Sequence, residues 1–254
     1  MLQKRKGKAP RISRSSERLP RVQKTPALWN NHDFLFLWSG QIVSAIGSQV
    51  SLFAFPWLIL MLTGSPVQAG WMSATRILPY LLFGLPAGAL VDRWDRKRVM
   101  IVCDSARALA LASIPLALLL GKLSVLQLFL VSFIEGTLFL FFGAAETAYV
   151  PQVVLEAQLP AATAQNEFVY AVAGLLGPSL SGFLAVAGKA LPFLTDACSY
   201  VVSVLSLLFI RVPTQEVRVS PKRDLLAEIR EGILWLWEHP LMRFLALLIA
   251  GLNF

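Results

Sequence analysis

Five ionisable side chains lie inside long apolar runs of this sequence, where a charge is costly, and they are the first candidates for chemistry. They are Arg76, Asp104, Arg107, Glu135 and Asp196. Charged groups in such surroundings usually have a functional role or a partner. Asp104 and Arg107 are three residues apart, which predicts a structural pair on one helical face. Arg76 and Asp196 have a similar depth in their runs and are candidates to pair with each other.

Glu135 is the acid with the least compensation nearby in the sequence. It lies near the middle of its run and shares a helical face with Ser132 and Glu146. A buried carboxyl group without a partner is suited to proton exchange or to binding a cation. We therefore expect Glu135 to be a proton or cationic-substrate site, with a structural hydrogen bond as the alternative.

Other kinds of chemistry have no matching pattern. Cys103 and Cys198 both lie in apolar runs, and His32 and His239 are far apart, so we expect neither a metal site nor a disulfide. The sequence contains no nucleophile–base arrangement and no phosphate-binding glycine loop. These observations predict a protein that is not an enzyme and needs no metal or cofactor.

The composition predicts that the elements positioning these residues are membrane helices. The chain has 254 residues, of which 56% are hydrophobic and 15% charged, and its mean hydropathy is +0.63. Soluble proteins carry about 25% charged residues. A bilayer core requires roughly 20 apolar residues per helix, and its backbone groups must be hydrogen-bonded internally. Six runs satisfy this length: 34–62, 70–91, 99–120, 124–149, 168–188 and 190–211.

Charge outside these runs predicts the orientation. Residues 1–28 form a basic tail, which we interpret as disordered and cytoplasmic, with nucleic-acid binding as the alternative. The turn at 92–98 is also basic, whereas the alternate loops carry only Lys122 and Lys189. The loop at 150–167 should then be cytoplasmic, but it is acidic and does not follow the excess of basic residues expected of cytoplasmic loops. We expect a multi-pass protein of the plasma (inner) membrane, with residues 29–211 as its six-helix domain and a cytoplasmic N-terminus.

The C-terminal part has a different character. Residues 212–240 are a polar linker that includes "DLLAEIREGILWLWEHP" (224–240), whose apolar spacing predicts an amphipathic helix on the cytoplasmic face. A seventh apolar run occupies 241–254. Fourteen residues reach about 21 Å, less than the roughly 30 Å hydrocarbon core. We therefore expect a truncated seventh helix.

Two motifs resemble those of the major facilitator superfamily. "GALVDRWDRKRV" (88–99) is similar to the signature turn between helices 2 and 3, although Asp95 replaces the second glycine of that signature. "GLLGPSLSG" (174–182) is similar to the antiporter motif of helix 5. The resemblance is to the macrolide-efflux and siderophore-exporter branch, and it covers the N-terminal half of a twelve-helix fold. It implies an all-α membrane protein whose six helices form a 3+3 inverted repeat.

The resemblance also implies roles for residues in these motifs. The gating motif is Gly88, Asp92, Arg93, Arg96 and Lys97, with Glu146 of helix 4 as the expected ion-pair partner of Arg96. The antiporter-type motif is Gly174, Gly177, Pro178 and Gly182, which would seal and bend helix 5. The polar stripe of helix 1 is expected to face the substrate, with polar contacts between helices as the alternative; it comprises Gln41, Ser44, Ser48 and Ser51.

The function implied is export of small drug-like molecules such as macrolides by proton antiport. The partners would then be membrane lipid, a small-molecule substrate, protons and the missing C-terminal half, with no nucleic acid. Two alternatives remain. One is export of a siderophore or other metabolite, and the other is a truncated, non-transporting fragment or a half that needs a partner.

Overall fold

The computed structural model of the chain describes residues 28–211, 234–235 and 237–252. Its long helices, named here in chain order, are α1 (His32–Thr63), α2 (Pro66–Val91), α3 (Arg96–Leu119), α4 (Val125–Val153), α5 (Leu159–Ala187), α6 (Leu191–Phe209) and α7 (Pro240–Leu252). Two short 3-10 helices occupy Leu28–Asn30 and Glu156–Gln158. Within the described ranges there is no β-strand, so the predicted all-α class is confirmed.

Short polar side chains cap the beginnings of the first four helices. The Asn31 side chain accepts a hydrogen bond from the Phe34 backbone N–H at 3.1 Å and caps α1. Ser65, Asp95 and Ser124 cap α2, α3 and α4 in the same way. These oxygens satisfy backbone donors that have no partner within the helix. Gly64 ends α1 with a φ of 65°, a left-handed conformation that glycine adopts without strain.

Five of the described helices are long and apolar enough to cross a membrane: α1, α3, α4, α5 and α6. The sequence predicts six, and the difference is α2. That helix has 26 residues, and it continues as a helix through its two internal prolines, Pro79 and Pro86. The chain is therefore a multi-pass helical membrane protein with at least five candidate spans.

The helices pack with α1 at the centre. It lies against α6, α5 and α2, while α3 packs on α4 and α6, and α2 packs mainly on α4. One apolar cluster, around Phe34, Met100 and Tyr149, lies at the end of the bundle that carries the α2–α3 turn. A second, around Phe55 and Phe193, lies towards the other end. Asp104 and Arg107 of α3 and Glu135 of α4 lie between these two clusters.

The outer surface of the bundle is apolar. Val186 is 91% exposed, Leu119 is 83% exposed, and many other large aliphatic side chains also point outwards. A soluble monomer rarely exposes a continuous apolar surface of this kind. The outward side chains therefore support the membrane location that the composition predicts.

Several predictions fall outside the described residues. The basic tail lies there apart from Leu28, and so do most of the 224–240 amphipathic helix and Phe254. The described residues of that stretch, 234–235 and 237–238, are helical, and α7 begins at Pro240.

Candidate transport site and gating turn

A buried ion pair between α3 and α4 is the centre of the candidate site. Arg107 Nη2 lies 2.8 Å from Glu135 Oε1, and Arg107 Nε is 3.0 Å from each oxygen of the same carboxylate. The Arg107 side chain is 2% exposed and that of Glu135 is fully buried. A forked guanidinium contact of this kind fixes the relative positions of two helices as well as neutralising both charges.

Asp104 completes the pairing of Arg107. Its Oδ1 is 3.3 Å from Arg107 Nη1, one turn away on the same helix, as the three-residue spacing predicts. The second oxygen, Oδ2, is buried and has no hydrogen-bond partner. Arg107 thus faces two buried carboxyl groups, Asp104 and Glu135.

Tyr200 of α6 joins this pair to a third helix, and the sequence reasoning missed it. Its hydroxyl donates to Glu135 Oε1 at 2.6 Å and accepts a hydrogen bond from Arg107. The Arg107 guanidinium carbon lies 4.0 Å from the centre of the Tyr200 ring, which adds a cation–π contact. Tyr200 follows Asp196 by four residues, so their shared helical face was the available signal.

Glu135, the acid with the least compensation nearby in the sequence, has partners in the structure, as the structural hydrogen-bond alternative allows. Arg107 is 28 residues away in the sequence, but the α3–α4 hairpin brings it alongside. Rotation of each helix about its axis, which periodicity alone does not determine, decides whether the two side chains meet.

The prediction that Arg76 pairs with Asp196 is wrong. Ser51 of α1 donates a hydrogen bond to Asp196 Oδ2, and the Ser199 hydroxyl lies 3.2 Å from Oδ1. Asp196 therefore faces α1, whereas Arg76 lies on α2, which packs mainly on α4. No ion pair to Arg76 occurs among the described residues, and its Nη1 is buried without a hydrogen-bond partner.

Two residues of the polar stripe of α1, Ser48 and Ser51, contact α6. The Ser48 hydroxyl lies 2.7 Å from the Tyr200 hydroxyl, and Ser51 contacts Asp196. Ser44 bonds its own helix at Gln41 O, and the Gln41 side-chain nitrogen is buried without a partner. Ser48 and Ser51 therefore make the polar contacts between helices that the alternative describes, and Ser48 also lines a cavity.

In the gating turn between α2 and α3, Arg96 pairs with a different acid from the Glu146 that the family resemblance implies. Arg96 contacts Asp92 at 3.4 Å, one helical turn away and partly exposed. Glu146 accepts hydrogen bonds from Asn166 Nδ2 at 3.1 Å and from the Tyr170 hydroxyl at 3.3 Å. The Arg96–Glu146 pair is therefore not formed in this structure, because Glu146 lies on the face of α4 that meets α5.

The remaining charges of the turn stabilise local structure. Asp95, which replaces the glycine of the family signature, caps α3 and contacts Arg98 at 3.2 Å. Lys97 Nζ donates to Ile210 O at 2.8 Å, at the end of α6. Arg93 is half-buried in a crevice beside Trp94. A side chain at Gly88 would meet no neighbouring atom.

Only one glycine of the helix 5 motif makes a close contact within the described chain. A Cβ at Gly177 would lie 2.5 Å from Gln49 Cβ, so this glycine allows α5 to approach α1. Gly174 and Gly182 are exposed and have open space beside them. Pro178 is exposed as well, and α5 continues through it as a helix.

Paired charges buried between several apolar helices define a class of protein. Such groups are rare in membrane helices and are typical of transporters, whose pathways they line or support. In the part of the chain that the structure describes, no group of three metal-ligating side chains is arranged to hold a metal ion. The fold and site together indicate a secondary transporter.

Comparison with known proteins assigns the family. Residues 25–243 match the transmembrane secretion effector family, and the chain belongs to this family of the major facilitator superfamily. It is 28% identical to the multidrug efflux pump Tap of Mycolicibacterium fortuitum, covering 81% of this chain and 52% of the relative. It is also 28% identical to macrolide efflux protein A of Streptococcus pyogenes, with coverage of 86% and 54%. An uncharacterized MFS-type transporter, YkuC of Bacillus subtilis, is 25% identical, with coverage of 88% and 53%. The chain thus spans about half the length of the curated relatives it matches.

Proposed function

We propose that this chain supplies the N-terminal half of an exporter of small drug-like compounds such as macrolides, coupled to proton entry. The observation that carries the proposal is the buried network of Arg107, Glu135, Asp104 and Tyr200, which joins α3, α4 and α6 near their middles. Carboxyl groups in the interior of a membrane protein are suited to taking up and releasing protons. The efflux activity named for the two relatives supports export as the direction of transport.

In this mechanism Glu135 takes up a proton and its ion pair with Arg107 is lost. Protonation of Glu135 removes the charge that Arg107 neutralises, and Arg107 then retains Asp104 and the Tyr200 hydroxyl. Since the contact joins α3 to α4, its loss would weaken one arrangement of the helices relative to another. A two-state equilibrium biased in this way is how a proton can drive alternating access.

The gating turn completes the proposal at the cytoplasmic face. Arg96 would exchange Asp92 for Glu146 in another conformation, while Glu146 leaves Asn166 and Tyr170. The buried Arg96 Nε without a hydrogen-bond partner supports a second position for this side chain. The exposed Gly174 and Gly182 of α5 would pack against the second half of the transporter.

We further propose that α2 is the sixth span and that the six helices form an inverted repeat of α1–α3 and α4–α6. In such a repeat, α1, α2 and α3 correspond to α4, α5 and α6. The α2–α4 contact then corresponds to α5–α1, and the α1–α6 contact corresponds to α4–α3. All four contacts are extensive. The correspondence is imperfect, since α1 packs more extensively on α2 than α4 does on α5. The basic turn at 92–98 supports a cytoplasmic N-terminus.

Labelling with a membrane-impermeant maleimide tests this topology. Val67→Cys and Trp94→Cys bracket α2 and would be introduced separately after Cys103 and Cys198 are replaced by serine. In intact cells we expect labelling at position 67 only, and labelling at 94 after permeabilisation. Labelling of both positions in intact cells would show that α2 does not cross the membrane.

Macrolide accumulation in an efflux-deficient bacterium tests the transport proposal. Cells expressing the chain together with the C-terminal half of a relative, macrolide efflux protein A, should accumulate less labelled macrolide than cells expressing that C-terminal half alone, and a protonophore should abolish the difference. Glu135→Gln should remove the effect, whereas the exposed Glu156→Gln is the matched control and should retain it. Equal accumulation in the two kinds of cell, with membrane insertion verified, would contradict a role of this polypeptide in export.

A further inference from the structure

Asp196 of α6 is a buried acid to which the proposed mechanism gives no role. Its side chain is fully buried and faces α1. Gly47 of α1 lies against it, and a Cβ at Gly47 would lie 2.6 Å from Asp196 Oδ1 and overlap the Ser199 hydroxyl. Asp196 Oδ1 therefore lies directly against the α1 backbone, at a level where the two helices leave no space between them for a cation.

In the described part of the chain, no cation forms an ion pair with Asp196. The charged residues near the middles of the other helices are Arg76 of α2, Asp104 and Arg107 of α3, and Glu135 of α4. The two arginines attract an ionised Asp196 from a distance, and Glu135 repels it. Arg107 itself is engaged by Glu135 and Asp104. A charge on Asp196 would therefore lack a neutralising contact.

The helices α1 and α5 also pack on α6, but within their described residues no ionisable side chain contacts Asp196. On α1 the ionisable residues, His32 and Asp33, lie in the first turn. On α5, Glu167 is exposed and the Tyr170 hydroxyl bonds to α4. The direct partners of Asp196 are thus the neutral hydroxyls of α1 and α6.

The contacts of Ser199 indicate a proton on the Asp196 carboxyl group. The Ser199 hydroxyl lies 2.7 Å from the Asp196 backbone carbonyl oxygen and 3.2 Å from Oδ1. A hydroxyl has one hydrogen to donate, and a carbonyl oxygen can only accept. The closer contact, to the carbonyl, therefore uses the Ser199 hydrogen. The contact with Oδ1 then needs a hydrogen from the carboxyl group, which Ser199 Oγ accepts.

Ser51 has the same shortage of hydrogens. Its hydroxyl contacts Asp196 Oδ2 and also lies 3.3 Å from the Ser48 carbonyl oxygen. The hydroxyls of Ser51 and Ser199 thus make four oxygen contacts with two hydrogens between them. An ionised Asp196 supplies no further hydrogen, whereas a neutral one supplies a third. Since a buried carboxylate without a paired cation is also costly, both the hydrogen bonds and the electrostatics favour the neutral acid.

We propose that Asp196 is a second proton-binding site of the bundle, which holds its proton at neutral pH while Glu135 is ionised beside Arg107. The α1–α6 contact, the most extensive between any two described helices, is then made with the proton bound. Release of this proton would place a charge without a neutralising contact between α1 and α6 and would weaken their packing. The proposal does not depend on the proposed transport function.

Infrared difference spectra of the purified chain in detergent micelles at neutral pH test the proposal. A neutral carboxyl group has a C=O stretching band that is separate from the bands of a carboxylate. Subtracting the spectrum of Asp196→Asn from that of the unmodified chain should leave the neutral-acid band, and exchange into deuterated water should shift it. Glu135→Gln is the matched control, and its difference spectrum should contain carboxylate bands instead. Carboxylate bands in the Asp196→Asn difference spectrum would overturn the proposal.

Unfolding by dodecyl sulfate, followed by circular dichroism, gives a second readout from the same variants. Asparagine has a donor and an acceptor, as the neutral acid has, so Asp196→Asn should shift the unfolding midpoint little. Glu135→Gln leaves Arg107 without its charge partner and should lower the midpoint clearly. A loss in Asp196→Asn as large as that in Glu135→Gln, or failure of Asp196→Asn to fold, would also overturn the proposal.

Discussion

Replacing Arg107 with glutamine should destabilise the chain severely. The guanidinium neutralises Glu135 through three contacts of 2.8–3.0 Å and reaches Asp104 at 3.3 Å, and all three side chains are at most 2% exposed. Removing one partner of a buried ion pair costs about 3–5 kcal/mol, because the remaining charge is left uncompensated. Glutamine retains one donor group, so we expect a loss of about 3 kcal/mol.

Arg98→Gln is the matched control for this loss. Arg98 also contacts an aspartate three residues earlier on α3, Asp95, at 3.2 Å, but its side chain is 84% exposed. An exposed pair contributes about 0–1 kcal/mol. The same chemical change should therefore have a small effect at position 98 and a large effect at position 107.

Equilibrium unfolding in mixed detergent–dodecyl sulfate micelles, followed by circular dichroism, measures both losses. A double-mutant cycle with Glu135→Gln isolates the pair, and the double variant should be more stable than the sum of the single losses predicts, by about 2 kcal/mol. Additive losses, or equal effects of Arg107→Gln and Arg98→Gln, would refute the conclusion that Arg107 and Glu135 neutralise each other inside the bundle.

Two other substitutions test the packing around the site. Gly47→Ala should destabilise the fold by about 1–3 kcal/mol, because the added Cβ would lie 2.6 Å from Asp196 Oδ1 and overlap the Ser199 hydroxyl. Gly84→Ala is the control, because a Cβ at Gly84 meets no neighbouring atom. This control should not lower the melting temperature in detergent. Lys97→Met removes the 2.8 Å hydrogen bond to the carbonyl at the end of α6 and should accelerate proteolysis near Arg211 without a large change in helical content.

Contacts within one helix were predictable from the sequence, and contacts between helices were not. The Asp104–Arg107 pair follows from a three-residue spacing. The Arg107–Glu135 pair depends on the rotation and register of α3 against α4, which no local pattern specifies. Tyr200 was missed because an aromatic residue in an apolar run is usually part of the core.

The other mismatches between prediction and structure also concern contacts between helices. Arg76 and Asp196 share a depth, but depth does not determine which neighbour a helix face meets. The Arg96–Glu146 pair implied by the family resemblance is absent from a structure in which Glu146 bonds Asn166 and Tyr170.

The most direct test of the account is transport by the purified chain, reconstituted in sealed liposomes with the C-terminal half of macrolide efflux protein A. A pH gradient, acidic inside, would be imposed, and entry of labelled macrolide through inward-facing and outward-facing copies would be followed over time. The account predicts accumulation above that of protein-free liposomes, abolished by nigericin and by Glu135→Gln but retained in Glu156→Gln. Accumulation equal to that of protein-free liposomes, in vesicles shown to contain folded chain, would contradict proton-coupled export by this polypeptide.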